Sequence, residues 1–350
     1  MSELRERDRI LISQMSAPGG NNWGIIGHNW AVRMLQQHIA HNAQRHAYLI
    51  TGPSGIGRRT LAVRFAQAIN CPEPPTPGIP CRICKTCSQI EQMRHPDLAV
   101  IQAEKVGGIL KVDQIRAVQH TLSLAPYASR YRVALFLRFE EANQNAMNAL
   151  LKTLEEPPAS VILMLTAGSA EWLAPTITSR CEILRLRPVP LDQLSESLRV
   201  ILKISPDEAR LLAHISNGRP GFALNLHNNP QFLQDRRQWL DDHLHLVSAK
   251  RIQRFLFVEE LVKNNEKARM ILSTWLSFWR DVMLVASGVP ARITNVDYTH
   301  EINQLADTCR LPSAANSVKA IERTIEYLDR NVNNRLALEV LMLDLPGLQG

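Results

Sequence analysis

The sequence predicts an α/β domain built on a parallel sheet, followed by a wholly helical C-terminal half. Up to about residue 187, short apolar runs alternate with helix-like segments, the pattern of a parallel sheet that helices cover on both faces. One of these runs leads into a glycine-rich loop, Gly52–Thr60, and a helix-like segment follows it. Beyond Pro190 the strand-like runs stop, and apolar residues recur at the three- and four-residue spacing of helices.

Composition places the chain among proteins with a substantial core. Its 350 residues suffice for two or three domains, and 45% of them are hydrophobic and 21% charged. No apolar run approaches the roughly 18 residues that a membrane-spanning helix needs, and the charged N-terminus lacks the apolar core of a signal peptide. We therefore expect a cytoplasmic protein without membrane contact. The net charge of +7 has two explanations of equal weight. The chain binds a polyanion or an acidic partner surface, or it is an ordinary soluble protein with a basic surface.

Five apolar runs have the length and the flanking polar or proline residues of buried strands. Segments with apolar residues at helical spacing separate them, such as Val112, Ile115 and Leu122 between the second and third runs. The predicted strands lie at residues 47–51, 98–101, 133–137, 161–166 and 183–186.

Changes in texture along the chain predict four segments. The first is polar and ends in a stretch rich in glycine and asparagine, as flexible tails do. Pro188-Val189-Pro190 separates the strand-bearing part from short helices, and from about Gln231 the chain is wholly helical in pattern. The predicted segments are a flexible tail over 1–22, a core domain over 23–187, a small helical domain over 188–230 and a helical C-terminal domain over 231–350.

The C-terminal domain carries large apolar side chains at helical spacing. Trp239, Trp275 and Trp279 have no charged partners at fixed offsets, so we interpret them as core or helix–helix interface residues. Two predicted helix faces are marked by Val318, Ile321, Ile325 and Leu328, and by Leu336, Val340 and Leu343.

Four of the six cysteines cluster within the core domain, in the order C-x9-C-x2-C-x2-C. Such spacing lets neighbouring thiolates reach one tetrahedral ion at about 2.3 Å, and zinc is the metal that such sets usually hold. Four thiolates leave no open coordination position, so the site would be structural. Scattered reduced cysteines and a redox pair are the alternatives, since a cytoplasmic location disfavours disulfides. The predicted ligands of this zinc module, at about residues 70–90, are Cys71, Cys81, Cys84 and Cys87.

The stretch Gly52–Thr60 has the setting of a phosphate-binding loop with altered side chains. Its glycines stand where the backbone must wrap a phosphate. The pattern G-x-x-x-x-G-K-[ST] requires a lysine and then a hydroxyl, but Arg58 and Arg59 occupy those positions. Arg58 lacks the compact ammonium, Arg59 would repel Mg²⁺, and a shift of register to Thr60 displaces the second glycine. The degenerate site that would face ATP comprises Gly52, Gly57, Arg58, Arg59 and Thr60.

Two further stretches, taken with these features, identify a family. The run Asn-Ala-Leu-Leu-Lys-Thr-Leu-Glu-Glu-Pro-Pro at 148–158 and Ser179-Arg180-Cys181 resemble the clamp-loader branch of the AAA+ proteins. Trp23–His28 and His46–Pro53 look like the start of its nucleotide-binding module. Asn331–Glu339 is similar to the end of one of the family's subunits.

The resemblance implies an AAA+ nucleotide-binding fold with an inserted zinc module, followed by a small helical lid and an all-α collar domain. Members of the family load the ring-shaped sliding clamp onto primed DNA in DNA replication, using ATP bound between neighbouring subunits. The expected partners are other clamp-loader subunits (gamma/tau and delta) in a ring, the sliding clamp and, through the complex, primed DNA. The chain would thus be part of a DNA polymerase holoenzyme.

Some members of this family hydrolyse ATP and others do not, and the second metal motif indicates the latter. Working members carry Asp-Glu at the end of the strand before the Asn-Ala-Leu-Leu helix, to hold Mg²⁺ and polarise water. The matching positions hold Leu137 and Arg138. Glu140 and Glu141 lie beyond the strand end, and we interpret them as solvated acids at a helix start.

Two arginine positions complete the comparison with the family. The lid arginine that touches the γ-phosphate in active members falls on Gly221, with Arg219 displaced by two positions. Ser179-Arg180-Cys181 is intact, and in the family this arginine enters a neighbour's ATP site as an arginine finger. The resemblance therefore assigns that role in trans to Arg180, against the alternative of a surface salt bridge.

The main hypothesis is a non-hydrolysing clamp-loader subunit that donates Arg180 to a neighbouring ATPase subunit. The alternative is an active ATPase subunit of the gamma/tau type, which would need Arg58 to serve as the lysine and Thr60 or a displaced acid to hold Mg²⁺. A third hypothesis, a zinc-dependent nucleic-acid binder, rests only on the cysteines and the charge and predicts tight DNA binding by the monomer.

Overall fold

The computed structural model describes residues 23–289, 292–330 and 333–347. The predicted flexible tail, residues 1–22, lies outside these ranges. No helix within them is long and apolar enough to cross a membrane.

The described residues form two compact units. The first contains the residues up to Ala209 and the segment Gly218–Ala223, and the second contains Arg210–Asn217 and the residues from Leu224 onward. All the strands that the structure describes belong to the first unit, whereas the second is helical. The finer division into core, lid and collar remains a prediction.

A parallel sheet forms the centre of the first unit, and every pairing within it is parallel. Its spatial order is β2-β3-β4-β1-β5. The five predicted strands are confirmed, with ends that differ by at most one residue. The strands are β1 (Ala47–Thr51), β2 (Leu98–Ile101), β3 (Arg132–Phe136), β4 (Val161–Ala167) and β5 (Glu182–Arg185).

The two strands β1 and β4 are buried along their whole length, whereas the edge strands β2 and β5 are partly exposed. In β1, Leu49 lies opposite Leu165 on one side and Ile183 on the other. Successive side chains point to opposite faces of a strand, so Tyr48 and Ile50 enter one hydrophobic cluster and Leu49 enters another. A strand with apolar partners on both faces needs a continuous apolar sequence, which is why β1 was recognisable.

The helices up to residue 228 surround the sheet or follow it. Their ends show local causes: the Asn143 side chain accepts a hydrogen bond from the N–H of Ala146 at the start of one, and Pro157 and Pro158 follow its end. These helices are α1 (Asn29–Ala40), α2 (Arg58–Asn70), α3 (Lys85–Glu91), α4 (Val112–Leu122), α5 (Gln144–Glu155), α6 (Pro175–Thr178), α7 (Leu191–Leu202), α8 (Pro206–Ile215) and α9 (Pro220–Asn228).

Loops that follow the strands of a parallel sheet meet at its carboxyl edge, where ligands commonly bind. This edge carries the loop after β1, the 3₁₀ turn Phe139–Glu141 after β3 and Gly168 after β4. The N–H of Gly52 donates to the carbonyl oxygen of Gly168 at 3.2 Å. The candidate phosphate loop is therefore joined to the loop of the neighbouring strand.

The second unit is a helical domain whose core holds the predicted tryptophans. Trp275 and Trp279 are fully buried and Trp239 is 5% exposed, which confirms them as core residues. The longest helical stretch is interrupted at Arg310 (φ 54°, ψ 166°), two residues before Pro312. The helices after residue 229 are α10 (Pro230–Ser248), α11 (Arg251–Leu261), α12 (Asn265–Ala286), α13 (Thr299–Asp329) and α14 (Asn334–Asp344).

Arg254 of α11 joins the ends of two other helices. Its buried guanidinium donates five hydrogen bonds of 2.9–3.0 Å to carbonyl oxygens. Carbonyls at helix C-termini lack intrahelical partners and attract cations, so one arginine satisfies both ends. The acceptors are Leu246 and Val247 near the end of α10, and Met342, Leu345 and Pro346 at the end of α14.

The predicted helix over the last turns of the chain is confirmed as α14, but its predicted face does not enter the core. Leu336, Val340 and Leu343 are 57%, 40% and 54% exposed. Two apolar rows with helical spacing run along this helix, and spacing alone does not show which row packs inward. The buried row is Ala337, Leu338, Leu341 and Met342.

Candidate functional site

The loop between β1 and α2 holds three glycines in conformations that other residues rarely adopt. Its φ angles are 142° at Gly52, 79° at Gly55 and 110° at Gly57. A Cβ atom at Gly52 would lie 2.6 Å from the carbonyl oxygen of Leu186, and one at Gly55 would lie 2.8 Å from Cβ of Phe222. The first two glycines are therefore required by space as well as by conformation.

The first turn of α9 closes onto this loop. The N–H groups of Gly221 and Phe222 donate to the carbonyl oxygen of Gly55, at 2.8 and 3.3 Å. Such N-terminal amides have no partner within their own helix and would otherwise be available to an anion. A Cβ atom at Gly221 would lie 3.0 Å from the same oxygen, so a larger residue here would have to push the loop back by a few tenths of an ångström. The loop and the start of α9 are thus joined through backbone atoms.

Gly221, the residue at the predicted lid-arginine position, contacts the loop through its backbone. The nearby Arg219 extends along α9 instead, with its guanidinium over the ring of Phe222, 4.6 Å from the centroid. Burial lowers the pKa of Arg219. The guanidinium of Arg219 therefore makes a cation–π contact with a ring of this chain.

Arg58, at the position of the phosphate-binding lysine, is paired within the chain. Its Nη1 lies 3.9 Å from Oε1 of Glu140, and that oxygen also accepts the N–H of Gly168 at 3.0 Å. The two side chains are only 12% and 20% exposed. Burial lowers the pKa of Arg58 and Glu140 opposes that effect, but a guanidinium keeps its charge in proteins. A carboxylate therefore balances the charge that a nucleotide phosphate would otherwise neutralise.

Arg59 and Thr60 lie in the first turn of α2 and are both exposed. The Nη2 atom of Arg59 lies 3.2 Å from Sδ of Met93. A guanidinium thus stands where an active loop has the hydroxyl that ligates Mg²⁺.

Neither of the two residues directly after β3 is a carboxylate. Leu137 is 6% exposed in the core, and Arg138, in a left-handed conformation, donates from Nε to Glu141 at 2.8 Å. The prediction that Glu140 and Glu141 are solvated is wrong, since their side chains are 20% and 10% exposed. Each carboxylate faces an arginine, and the partner of Glu140 is remote in sequence, so local spacing did not reveal it.

His28 belongs to this site, although sequence reasoning gave it no role of its own. Its Nε2 lies 3.0 Å from the carbonyl oxygen of Ile56 within the loop. A carbonyl only accepts, so Nε2 carries the hydrogen and the ring is in that tautomer. Burial lowers the pKa of His28 and favours the neutral ring. The only available signal was its place in the Trp23–His28 segment.

Arg180 lies just after α6 at the surface. Its Nη1 donates to the carbonyl oxygen of Thr176 at 2.9 Å, and its Nη2 donates to Oε1 of Glu155 at 2.7 Å. The side chains of Arg180 and Glu155 are 35% and 50% exposed. The guanidinium is therefore paired but accessible to another molecule.

Arg180 and the phosphate loop lie at opposite ends of the strands, Arg180 at the amino end and the loop at the carboxyl end. Arg180 precedes β5, whereas the loop follows β1, and the two strands pair in parallel with Tyr48 opposite Glu182 and Thr51 opposite Arg185. This paired stretch alone spans about 10 Å. The structure does not bring Arg180 to the loop of its own chain.

The four clustered cysteines come together in space. All four Sγ atoms lie within 4.8 Å of one another, and those of Cys81 and Cys87 are 3.9 Å apart. Sulfurs placed 2.3 Å from a tetrahedral centre are about 3.8 Å apart. The set Cys71, Cys81, Cys84 and Cys87 therefore has the dimensions of one tetrahedral metal site.

The surroundings of these thiols shift their pKa values in different directions. The N–H groups of Cys81, Cys84 and Cys87 each donate to the Sγ of the preceding cysteine of the set at 3.4 Å. Burial raises the pKa of Cys84 and Cys87, and against burial the N–H groups of Cys84 and Ile83 lower the pKa of Cys81 to about 7. Four thiolates at this spacing repel one another unless a cation lies between them.

The cysteine module contacts α2, the helix that follows the candidate phosphate loop. Arg64 of α2 is 1% exposed, donates to Gln67 at 2.7 Å and forms an ion pair with Glu91 of α3. Gln67 in turn donates to the carbonyl oxygen of Cys87 at 2.7 Å. The loop and the cysteine cluster therefore share one rigid element.

Two family models match the chain, and both are described as DNA polymerase III, delta subunit. One matches residues 27–190 and the other, for the C-terminal part, matches residues 230–346, which together are well over half of the chain. The DNA polymerase III subunit delta' of Bacillus subtilis (strain 168) is 28% identical over 318 residues, covering 90% of this chain and 94% of that protein. The chain belongs to the delta-prime family of DNA polymerase III subunits.

Other relatives include a second delta' subunit and a tau subunit. The delta' subunit of Pseudomonas aeruginosa is 36% identical over 204 residues, covering 57% of this chain and 60% of that protein. DNA polymerase III subunit tau of Salmonella typhimurium (strain LT2) is 32% identical over 207 residues, covering 58% of this chain and 32% of that protein. The predicted resemblance and the predicted fold class, a parallel α/β domain followed by helical parts, are confirmed.

Proposed function

We propose that this delta-prime family member is a clamp-loader subunit that does not hydrolyse ATP itself and supplies Arg180 to the ATP site of a neighbouring subunit. Its neighbours in the ring are gamma/tau and delta subunits, and the complex loads the sliding clamp onto primed DNA during replication. The contact of Gly221 and Phe222 with Gly55 carries the first part of this proposal.

That contact supports a site without turnover because it holds the start of α9 against the loop, with a glycine where active members carry the arginine that touches the γ-phosphate. The N-terminal amides of α9 bond to the loop, and Glu140 balances Arg58. Leu137 and Arg138 supply no ligand for Mg²⁺, and without the metal the charge that develops during phosphoryl transfer is not neutralised.

The placement of Arg180 supports action in trans. Its guanidinium is accessible, lies at the end of the strands opposite to the chain's own loop, and is held at the surface by the hydrogen bond to Glu155. A guanidinium that enters a neighbour's site stabilises the charge on the transferring phosphoryl group, an effect worth about 10³- to 10⁵-fold in rate in other phosphoryl-transfer enzymes.

The cysteine cluster is proposed to hold zinc in a structural role. Zinc prefers four tetrahedral thiolates, and a set of four leaves no position for substrate or water. The ion would fix the loop between α2 and α3 in the cytoplasmic protein, where disulfides are disfavoured.

An ATP binding and turnover assay on the isolated full chain tests the absence of hydrolysis. We expect no specific turnover, and any nucleotide affinity should be the same with and without Mg²⁺. Turnover at the rate of active relatives, or a Mg²⁺-dependent affinity, would favour the alternative of an active gamma/tau-type subunit. Tight DNA binding by the monomer would instead favour the nucleic-acid-binding alternative.

The role of Arg180 is tested in a reconstituted clamp loader. We expect Arg180→Ala to lower the ATPase rate stimulated by clamp and primed DNA by at least about tenfold. Arg185→Ala is the matched control, because Arg185 is an exposed arginine at the other end of β5. An unchanged rate in Arg180→Ala would contradict the finger role.

A further inference from the structure

Glu155 and Arg180 each lie close in sequence to a residue of the same hydrophobic cluster, which fixes the position of their backbone. Glu155 follows Leu154, which is 2% exposed, and Arg180 lies three residues after Ile177, which is fully buried in the same cluster. Glu155 is also the last residue of α5, and Pro157 with the residue after it prevents the helix from continuing. The carboxylate and the guanidinium therefore leave the core at fixed points.

The contact with Glu155 orients the guanidinium without using all of its donors. Nη2 donates to Glu155 and Nη1 donates to the carbonyl oxygen of Thr176, with Ser179 Oγ at 3.5 Å from Nη1. A guanidinium has five N–H donors. The described contacts leave donors on the Nε and Nη2 side for an incoming phosphate.

Glu155 is an unusual residue for its position, and Arg180 offsets the cost. The C-terminus of a helix repels carboxylates and attracts cations. Within the last turn of α5 the basic residue is Lys152, and Glu155 stands at the very end. Arg180, which lies just after α6, forms an ion pair with this carboxylate and offsets its repulsion by the helix end. The contact therefore stabilises Glu155 and orients Arg180.

From this geometry we propose that Glu155 is a positioning residue for Arg180. It orders the long arginine side chain before the neighbouring subunit's phosphate arrives. Without Glu155, the conformational entropy lost on ordering that side chain would oppose its entry into the site. The pair is partly exposed and, among the described contacts, leaves Nε unused, so Arg180 can bind the phosphate while Glu155 still orients it. This inference rests on the proposed role of Arg180 and names the residue that prepares it.

Steady-state kinetics of the reconstituted clamp loader, with clamp and primed DNA present, test the proposal. We expect Glu155→Ala to lower kcat for ATP by about three- to fivefold with KM unchanged, as expected when a contact acts in the transition state. Glu155→Gln keeps an acceptor without the charge and should lie between. The loss should shrink at high salt, because exposed ion pairs are screened. A purely structural defect would not respond to salt in this way.

Glu156→Gln is the matched control, since it removes one negative charge from the same helix end at an exposed residue and should leave kcat unchanged. The double variant Glu155→Ala with Arg180→Ala should be no slower than Arg180→Ala alone. An unchanged kcat in Glu155→Ala, or an equal loss in the Arg180→Ala background, would overturn the positioning role alone. An unchanged rate in Arg180→Ala would overturn the finger and the positioning role together.

Discussion

The carbonyl oxygen of Gly55 and the N–H of Gly221 lie 2.8 Å apart and join the candidate phosphate loop to the first turn of α9. A lid that opens and closes around a nucleotide would have to break this bond and the parallel one from Phe222. The bonds are made by backbone atoms, and a Cβ atom would lie 2.8 Å from Cβ of Phe222 if added at Gly55 and 3.0 Å from the carbonyl oxygen of Gly55 if added at Gly221. We therefore expect the loop to act as a structural joint.

Gly55→Ala should destabilise the first unit more than Gly57→Ala does. Both glycines have positive φ, and the angle at Gly57 (110°) is less accessible to alanine than that at Gly55 (79°), so a larger loss at Gly55 would report the contact and not the backbone strain. A Cβ atom at Gly55 would lie 2.8 Å from Cβ of Phe222, whereas one at Gly57 would meet nothing within 4 Å. Urea unfolding should show an extra loss of about 1–3 kcal/mol for Gly55→Ala. Equal losses would mean that the contact with α9 is not tightly packed.

The sheet could be predicted because its strands are buried on both faces. A strand such as β1 must then be apolar along its whole length, and the run at 47–51 stands out from the polar segments around it. The four cysteines were also predictable, because their spacing in sequence already limits their spacing in space.

The remaining features depend on contacts between distant parts of the chain. The pairing of Arg58 with Glu140 joins the first residue of α2 to the 3₁₀ turn after β3, which are far apart in sequence, so Glu140 was wrongly predicted to be solvated. The role of Gly221 rests on a backbone contact that leaves no side-chain pattern. In α14, the apolar row that contains Leu336 could not be distinguished from the buried row, because both have helical spacing.

Protein prepared without chelators should contain about one tightly held zinc ion per chain. Cys87→Ser should lose most of it and lower the urea midpoint of the first unit, because Cys87 is a buried member of the cluster. Cys309→Ser is the control, since Cys309 is a free cysteine of the second unit. Metal analysis and unfolding curves measure both effects. Much less than one equivalent in the unmodified protein would argue against the four cysteines as a set.

Arg254→Met should destabilise the second unit by about 3–5 kcal/mol, because it removes five hydrogen bonds to carbonyl groups at two helix ends, four of them buried. Arg254→Lys should recover only part of this loss, since an ammonium has three donors and no planar fork. Arg251→Met, on the exposed start of the same helix, is the control and should change stability little. Urea unfolding followed by tryptophan fluorescence measures the difference. Full recovery by lysine would show that charge, not geometry, holds the two helix ends.

His243 should make the second unit less stable in acid. The residue is fully buried, and Nε1 of Trp279 donates to its Nε2 at 2.7 Å, so the ring is neutral with its hydrogen on Nδ1. Burial, aided by the charge of Arg254, lowers the pKa of His243 to about 3. Below pH of about 6.5 the unfolded histidine binds a proton that the folded one does not bind until near pH 3. Stability contributed by His243 is therefore present above about pH 6.5 and is lost as pH falls toward 3.

The variant His243→Gln isolates this contribution, because glutamine can accept the Trp279 hydrogen bond and does not titrate. The free energy of unfolding of the parent should fall faster than that of the variant between pH 6.5 and 4.5, by up to about 1.4 kcal/mol per pH unit. His245→Gln, at an exposed position on the same helix, is the control for replacing a histidine of α10 by glutamine. Guanidinium unfolding at each pH, followed by tryptophan fluorescence, gives the three slopes. Parallel slopes for parent and His243→Gln would show that the folded ring takes up its proton as readily as the unfolded one, contrary to the environment that Trp279 and Arg254 create.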